Sequence, residues 1–217
     1  MPSAFLVDHA ADGFVARRLF YPSAGGDTGT PIRVFLPWID EFWFVDKAYD
    51  LTSPFAKTRP LVDDSTEVLT GTTIRSGERF EVTVRRERYR WEGKLVTVHR
   101  CRGRGYDTFR TAFAIPGKTL SVFFHRGDSQ GEGGSNFYWL DRQRLVNVVR
   151  CLEPGGLIVS DGSNAMSEFS PLGSRPAVAP DAAHLPPPFE AASRKFFCVG
   201  YLGRRYGPTL VWKVVQP

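Results

Sequence analysis

Apolar residues fall into short runs along this chain, separated by turns rich in Gly, Pro and acidic residues, and these runs predict the elements. Arg18-Leu19-Phe20-Tyr21 reads as a short strand that stops at Pro22 and opens into Ser23-Ala24-Gly25-Gly26-Asp27-Thr28-Gly29. Thr30 at an N-cap with Pro31 at the first helical position starts a short helix, which Pro37 ends. Glu41 to Asp46 is apolar on both faces and closes on an acid, as a buried parallel strand does. Residues 50 to 78 carry several breakers, with a helix assigned near residues 60 to 69. Phe80 to Trp91 and Lys94 to Cys101 are β-rich and joined by Glu92-Gly93, a hairpin signal. Asp107 is placed to cap a helix running to Phe113.

The second half continues the alternation. Thr119 to Phe124 is a buried-type strand that leads into a polar, Gly-rich loop from His125 to Asn136. Phe137 to Leu152 gives the clearest helical period, with Phe137, Leu140, Leu145, Val148, Val149 and Leu152 on one face. Glu153-Pro154-Gly155-Gly156 stops it, and Leu157 to Asp161 is the next strand. Residues 162 to 194 are rich in Pro, Ala and Ser and read as a long loop. Phe196 to Tyr201 and Thr209 to Val215 form a terminal hairpin. Strands alternating with helices imply a mostly parallel sheet with right-handed crossovers, in one domain spanning residues 1–217.

Composition adds limits. With 217 residues, 42% hydrophobic and 24% charged, the chain is long enough to bury a full core. A net charge of +5 fits an acidic partner, such as nucleic acid, as well as a merely solvated surface. Cys101, Cys151 and Cys198 are odd in number and far apart, which argues for reduced thiols in the cytoplasm rather than a disulfide framework or a zinc site. No basic segment followed by an apolar run opens the chain, so no signal peptide is expected. No apolar stretch nears the roughly 20 residues that span a bilayer, so no membrane partner is expected.

The segment Val148-Val149-Arg150-Cys151-Leu152-Glu153-Pro154-Gly155-Gly156-Leu157-Ile158-Val159-Ser160-Asp161, with the element order around it, resembles the class I S-adenosylmethionine-dependent methyltransferases. In that family a helix ends in a Leu-x-Pro-Gly-Gly turn before the fifth strand. The resemblance implies an α/β fold: a Rossmann-like, mostly parallel twisted sheet with helices on both faces and a C-terminal antiparallel hairpin. It also implies S-adenosylmethionine as cofactor. The family's first loop carries Gly-x-Gly-x-Gly after an acidic residue, whereas this chain has Ser23-Ala24-Gly25-Gly26-Asp27 with no acid in the preceding strand.

Ser23, Ala24, Gly25, Gly26 and Asp27 are therefore the candidate cofactor loop, together with Asp46, an acid ending a strand where ribose hydroxyls would be accepted. The same residues also suit a plain strand-to-helix turn. His125, Asp128 and Glu132 are the candidate acid–base groups facing the methyl acceptor, or else parts of a surface loop. Ser160 to Asn164 reads as a strand-end turn that could line the same crevice. Arg85, Arg86, Arg88 and Arg90, alternating with Tyr89 and Trp91, then Arg100, Arg102 and Arg104, and later Arg204, Arg205 and Tyr206, suit either phosphate contact and base stacking or a charged, exposed hairpin. His99 reads as a packed or hydrogen-bonded histidine. No Walker A sequence, nucleophile elbow or His-Glu-x-x-His is present. Two functions follow: methyl transfer to a small or macromolecular acceptor, or a catalytically silent domain of that type that binds RNA or a protein.

Overall fold

The computed structural model of this chain describes residues 4–5, 12–51, 55, 58–73, 76–128, 139, 142–162, 172, 185–202 and 209–215. Its elements in chain order begin with β1 (Ala4–Phe5), β2 (Arg18–Tyr21), α1 (Gly29–Phe35), β3 (Glu41–Asp46), β4 (Leu61–Thr72), β5 (Arg79–Trp91) and β6 (Lys94–Arg102). Next is α2 (Gly105–Phe109), which runs into a π turn (Arg110–Ala114). The remainder is β7 (Leu120–His125), α3 (Arg142–Cys151), β8 (Leu152–Ser160), β9 (Phe189–Ala191), β10 (Arg194–Leu202) and β11 (Thr209–Val215). They group into two compact units, residues 17–118 and residues 1–16 with 119–217.

In the first of these, the strand order is β2-β3-β6-β5-β4. β2, β3 and β6 pair in parallel, while β5 and β4 pair antiparallel. Both faces of the parallel part are aromatic. On one, Phe20 meets Phe109 and Phe113 edge-on at 5.3 and 5.5 Å, and Trp43 meets Phe113 at 5.2 Å. On the other, Phe42, Phe44 and Tyr21 are buried; in α1, Ile32 and Phe35 are buried too. Such rings bury large areas and prefer this edge-to-face geometry.

One carboxylate ties the parallel strands together. Glu41, at the start of β3, accepts from Arg18 Nε at 2.7 Å and from Trp43 Nε1 at 2.8 Å. His99 Nε2, from β6, lies 3.2 Å from the same carboxylate, and the His99 ring stacks on Trp43 with centroids 3.8 Å apart. The registers Arg18↔Glu41 and Trp43↔His99 make these contacts possible. Partial burial pushes the Glu41 carboxyl up, but His99, Trp43 and Arg18 together outweigh it and bring the pKa from 4.5 down to about 2.

The hairpin β5–β6 turns at Glu92-Gly93, both with positive φ (49° and 80°), as a type I′ turn requires. Segment 61–72 is a strand, not the helix assigned near residues 60 to 69. It is rich in β-branched residues (Val62, Thr66, Val68, Thr70, Thr72), and its acids meet the arginines of β5 across the ladder. Asp63 receives Arg88, and Asp64 receives Arg85 at 2.8 Å. α1 begins at Gly29 after Thr28, without a side-chain cap, so Pro31 is its third residue rather than its first. Asp107 likewise sits within α2 and not at its cap.

In the other unit the order is β7-β8-β11-β10. β7 and β8 are parallel, the remaining pairs antiparallel, and β9 and β1 both add to the outer side of β10. Every residue of β7 is buried. α3 supplies Leu145, Val148 and Val149 to this core. The register irregularity between Leu120 and Val122 accommodates Glu153 to Gly156. Gly156 is needed there: a Cβ would stand 3.0 Å from the Glu153 carbonyl and 3.2 Å from that of Ser121. Glu153 itself is buried and accepts from the backbone N–H groups of Val15 and Ala16, both at 3.0 Å, and from the Ser121 hydroxyl. Most of the expected 162–194 loop lies outside the described residues, as do Phe137 and Leu140.

The Rossmann-like, mostly parallel sheet with helices on both faces does not form. Among the described strand pairings, β2–β3, β3–β6 and β7–β8 are parallel and six are antiparallel. The described helices are short, at seven, five and ten residues, beside one π turn. Pro37 truncates α1, and the cross-strand charge pairs of β4 and β5 extend the sheet where a crossover helix was expected. No helix among the described residues is long and apolar enough to cross a membrane.

Two substitutions test these ties. Glu153→Ala leaves two backbone donors and a hydroxyl without their acceptor and should cost roughly 2–4 kcal/mol in urea unfolding, whereas Glu153→Gln should cost about half as much. The depressed pKa of Glu41 contributes stability above its unfolded value, and this is lost as pH falls from about 5 toward 2. Glu41→Gln should flatten that acid limb, a difference on the order of 2–3 kcal/mol in urea titrations at stepped pH.

Candidate functional site

β2 and β3 end side by side, and the chain leaving β2 folds back over the end of β3. Ser23 and Gly25 both take positive φ (52° and 50°), which turns the chain sharply and makes glycine the suited residue at position 25. Ala24 N–H donates to the Val45 carbonyl at 2.9 Å, and Asp27 N–H closes the turn onto the Ala24 carbonyl at 2.9 Å. Gly25 N–H then donates to Asp46 Oδ2 at 3.2 Å. From the other side, Ala48 N–H donates to Asp46 Oδ1 at 2.8 Å. The Asp46 carboxylate is thus clamped between two backbone segments. Each oxygen can still accept a further hydrogen bond, since an ionised carboxylate offers about four acceptor positions.

Tyr49 and Arg100 accompany this acid. The register Phe44↔Arg100 puts Arg100 and Asp46 on the same face of the sheet. Arg100 is 5% exposed, donates through Nη2 to the Asp50 carbonyl at 2.6 Å, and lies over the Tyr49 ring at 4.6 Å. Its Nε and Nη1 have no hydrogen-bond partner among the described residues, and neither has the Tyr49 hydroxyl. Burial pushes the Tyr49 hydroxyl well above the usual phenol range. Arg100 opposes this, and Asp46 and Asp27 reinforce it. The cluster therefore offers an oriented acceptor at Asp46 and two kinds of buried donor.

The candidate residues beyond β7 form a different group, in the other unit. His125 Nε2 lies 3.5 Å from Asp128 Oδ2, and both side chains are fully buried. Gly127 N–H donates to Asp161 Oδ2 at 2.8 Å, and Asp161 N–H reaches the His125 carbonyl at 3.3 Å. Ser160 Oγ donates to the Leu172 carbonyl at 3.1 Å and accepts from Gly162 N–H at 3.0 Å. These bonds fix the ends of β7 and β8. Glu132 lies outside the described residues.

Five of the predicted loop residues and Asp46 are thus brought together, and His125 with Asp128. Tyr49 was not singled out as a binding residue, and Arg100 was grouped only with the arginines suited to phosphate contact, not with the cofactor turn. For Arg100 a signal exists: it continues the buried face of Val96 and Val98, where an apolar residue is the ordinary choice. Tyr49, in a loop between breakers, carries none. Among the described residues, no three His, Cys, Asp or Glu side chains gather to hold a metal ion. No family model, curated protein or solved structure matches the chain.

A buried guanidinium with acceptors for only part of its donors is a cost that the free protein carries. Replacing Arg100 by Met, which keeps the packing over Tyr49, should leave ligand-free stability unchanged or raise it by about 1 kcal/mol in thermal melts. A loss above roughly 2 kcal/mol would mark Arg100 as a structural strut instead.

Proposed function

We propose that this protein is an S-adenosylmethionine-dependent methyltransferase, with the donor held by the 23–27 turn and Asp46. The observation that carries this reading is the clamped Asp46 carboxylate at the end of β3, beside a tight turn at the end of β2. A carboxylate so fixed accepts the two adjacent hydroxyls of a ribose without having to be ordered on binding. Small residues at 24 to 26 let the backbone approach the amino-acid end of the donor closely. Tyr49 and Arg100 supply unpartnered donors on the same side, fitting a ligand with ring nitrogens or a carboxylate.

When bound, the sulfonium supplies an already activated methyl group, so the protein's task is chiefly to position it in line with the acceptor. Asp46 orients, the turn excludes water from one side, and Arg100 adds positive charge on the same face. Three unpaired cysteines, Cys101, Cys151 and Cys198, fit a reducing cytoplasm.

Isothermal titration calorimetry with S-adenosylmethionine and S-adenosylhomocysteine tests the reading. The unsubstituted protein should give saturable heat, and Asp46→Asn should weaken binding about tenfold or more, the worth of hydrogen bonds to a charged acceptor. Absence of heat from the unsubstituted protein at near-millimolar concentration would refute the reading.

A further inference from the structure

The arginines of the β4–β5–β6 sheet are not alike. In the middle of β5, Arg85, Arg86 and Arg88 are all ion-paired, with Asp64, Asp63 and Glu87 as partners. Toward the other end of the hairpin, Arg79, Arg102 and Arg104 are exposed, as is Lys47. None of these four makes an ion pair within 4.0 Å among the described residues. They line a common cavity of about 300 Å³ together with Phe80. A second cavity, of about 260 Å³, shares Arg79 and Phe80 and adds Arg110. The two make one groove in which cations flank a half-buried aromatic ring.

The acids of the groove offset only part of this charge: Glu78, Glu81 and Asp107 stand against Lys47, Arg79, Arg102, Arg104 and Arg110. Burial pushes the Asp107 carboxyl up, and Arg104 and Arg110 oppose this. A modest surplus of spaced cations holds a lone anion poorly. A chain of phosphates, meeting one cation after another, releases a counterion at each. The concavity around Phe80 suits an unstacked base rather than a stacked duplex.

We propose that this groove binds the backbone of a single-stranded nucleic acid, with a base on Phe80, and that this strand is the methyl acceptor. The acceptor assignment rests on the donor reading given above. The groove adjoins Asp46 through the chain itself: Lys47 follows it, and Gly103 N–H donates to the Asp46 carbonyl at 3.1 Å. Phe80 lies on the face of Trp43 and His99, and Arg102, opposite Asp46 in register, lies on the other, so a strand running from Phe80 past Arg102 would cross the end of β6 toward the donor turn.

Fluorescence anisotropy with a labelled oligouridine RNA, in the absence of any methyl donor, tests the surface by itself. The full chain should bind, with affinity falling steeply as salt rises. The Arg79→Ala/Arg102→Ala/Arg104→Ala variant should bind at least about tenfold more weakly, with a log–log salt slope shallower by about 2–3. The Arg85→Ala/Arg88→Ala variant, which removes arginines already paired, should stay within about twofold of the unsubstituted protein. All of these side chains are at least partly exposed, and circular dichroism confirms that each variant folds. Three results overturn the proposal: no binding at low salt, equal losses in both variants, or competition by polyglutamate as effective as by unlabelled RNA, which would indicate an acidic protein partner. The calorimetry keeps the two readings apart. The triple variant should retain the S-adenosylmethionine heat, and Asp46→Asn should retain RNA binding. RNA binding without any donor heat would leave the groove assigned and remove the acceptor role.

Discussion

The carboxylate of Glu41 is the constraint on which the 17–118 unit depends. Three strands from distant parts of the sequence can run parallel only if something fixes their register, because a slip of one residue would exchange buried and exposed faces. Glu41 does this by accepting from Arg18 of β2, from Trp43 of its own strand, and by its contact with His99 of β6. Once that register is set, Phe20, Trp43 and Phe113 come together on one face, and Tyr21, Phe44 and Arg100 face the other way. The ends of β2 and β3 then lie level, and that alignment lets Gly25 reach Asp46.

Polar groups buried in this molecule do two kinds of work. Glu41 and Glu153 are satisfied from several sides and hold backbone segments where apolar contacts alone would leave the register open. Arg100 and Tyr49 are different, because Arg100 Nε and Nη1 and the Tyr49 hydroxyl lack hydrogen-bond partners among the described residues. Structures tolerate such groups where a ligand completes them, and the cost is carried by the well-packed aromatic layers around them.

Elements specified by their own residues were legible in the sequence. Arg18–Tyr21, Glu41–Asp46 and Thr209–Val215 form strands with the bounds that their apolar runs imply. So does the hairpin at Glu92-Gly93, since two residues with positive φ announce themselves locally. Segment 61–72 was not legible, because its acids make a strand only opposite the arginines of β5. The sheet architecture was misread for the same reason: alternating strands and helices imply crossovers, but Pro37 and the β4–β5 pairing replaced helix with antiparallel sheet. Of the candidate site, the turn and Asp46 could be seen, because a glycine turn and a strand-ending acid are local features. Arg100 acquired its place through register, and the unequal pairing of the arginines through a strand that had been read as a helix.

β4 has one further consequence. It ends the strand order of its sheet, pairs only with β5 among the described residues, and is exposed along most of its twelve residues. Such a margin offers a row of unclaimed backbone groups to any neighbouring chain. Leu61, Val62 and Val68 would make that contact adhesive. Asp63, Asp64 and Glu67 on the same strand oppose it, since two copies meeting along this margin would bring their carboxylates together. The acids that draw β4 onto β5 thus also guard the molecule against self-association, and neutralising them would release a tendency to aggregate.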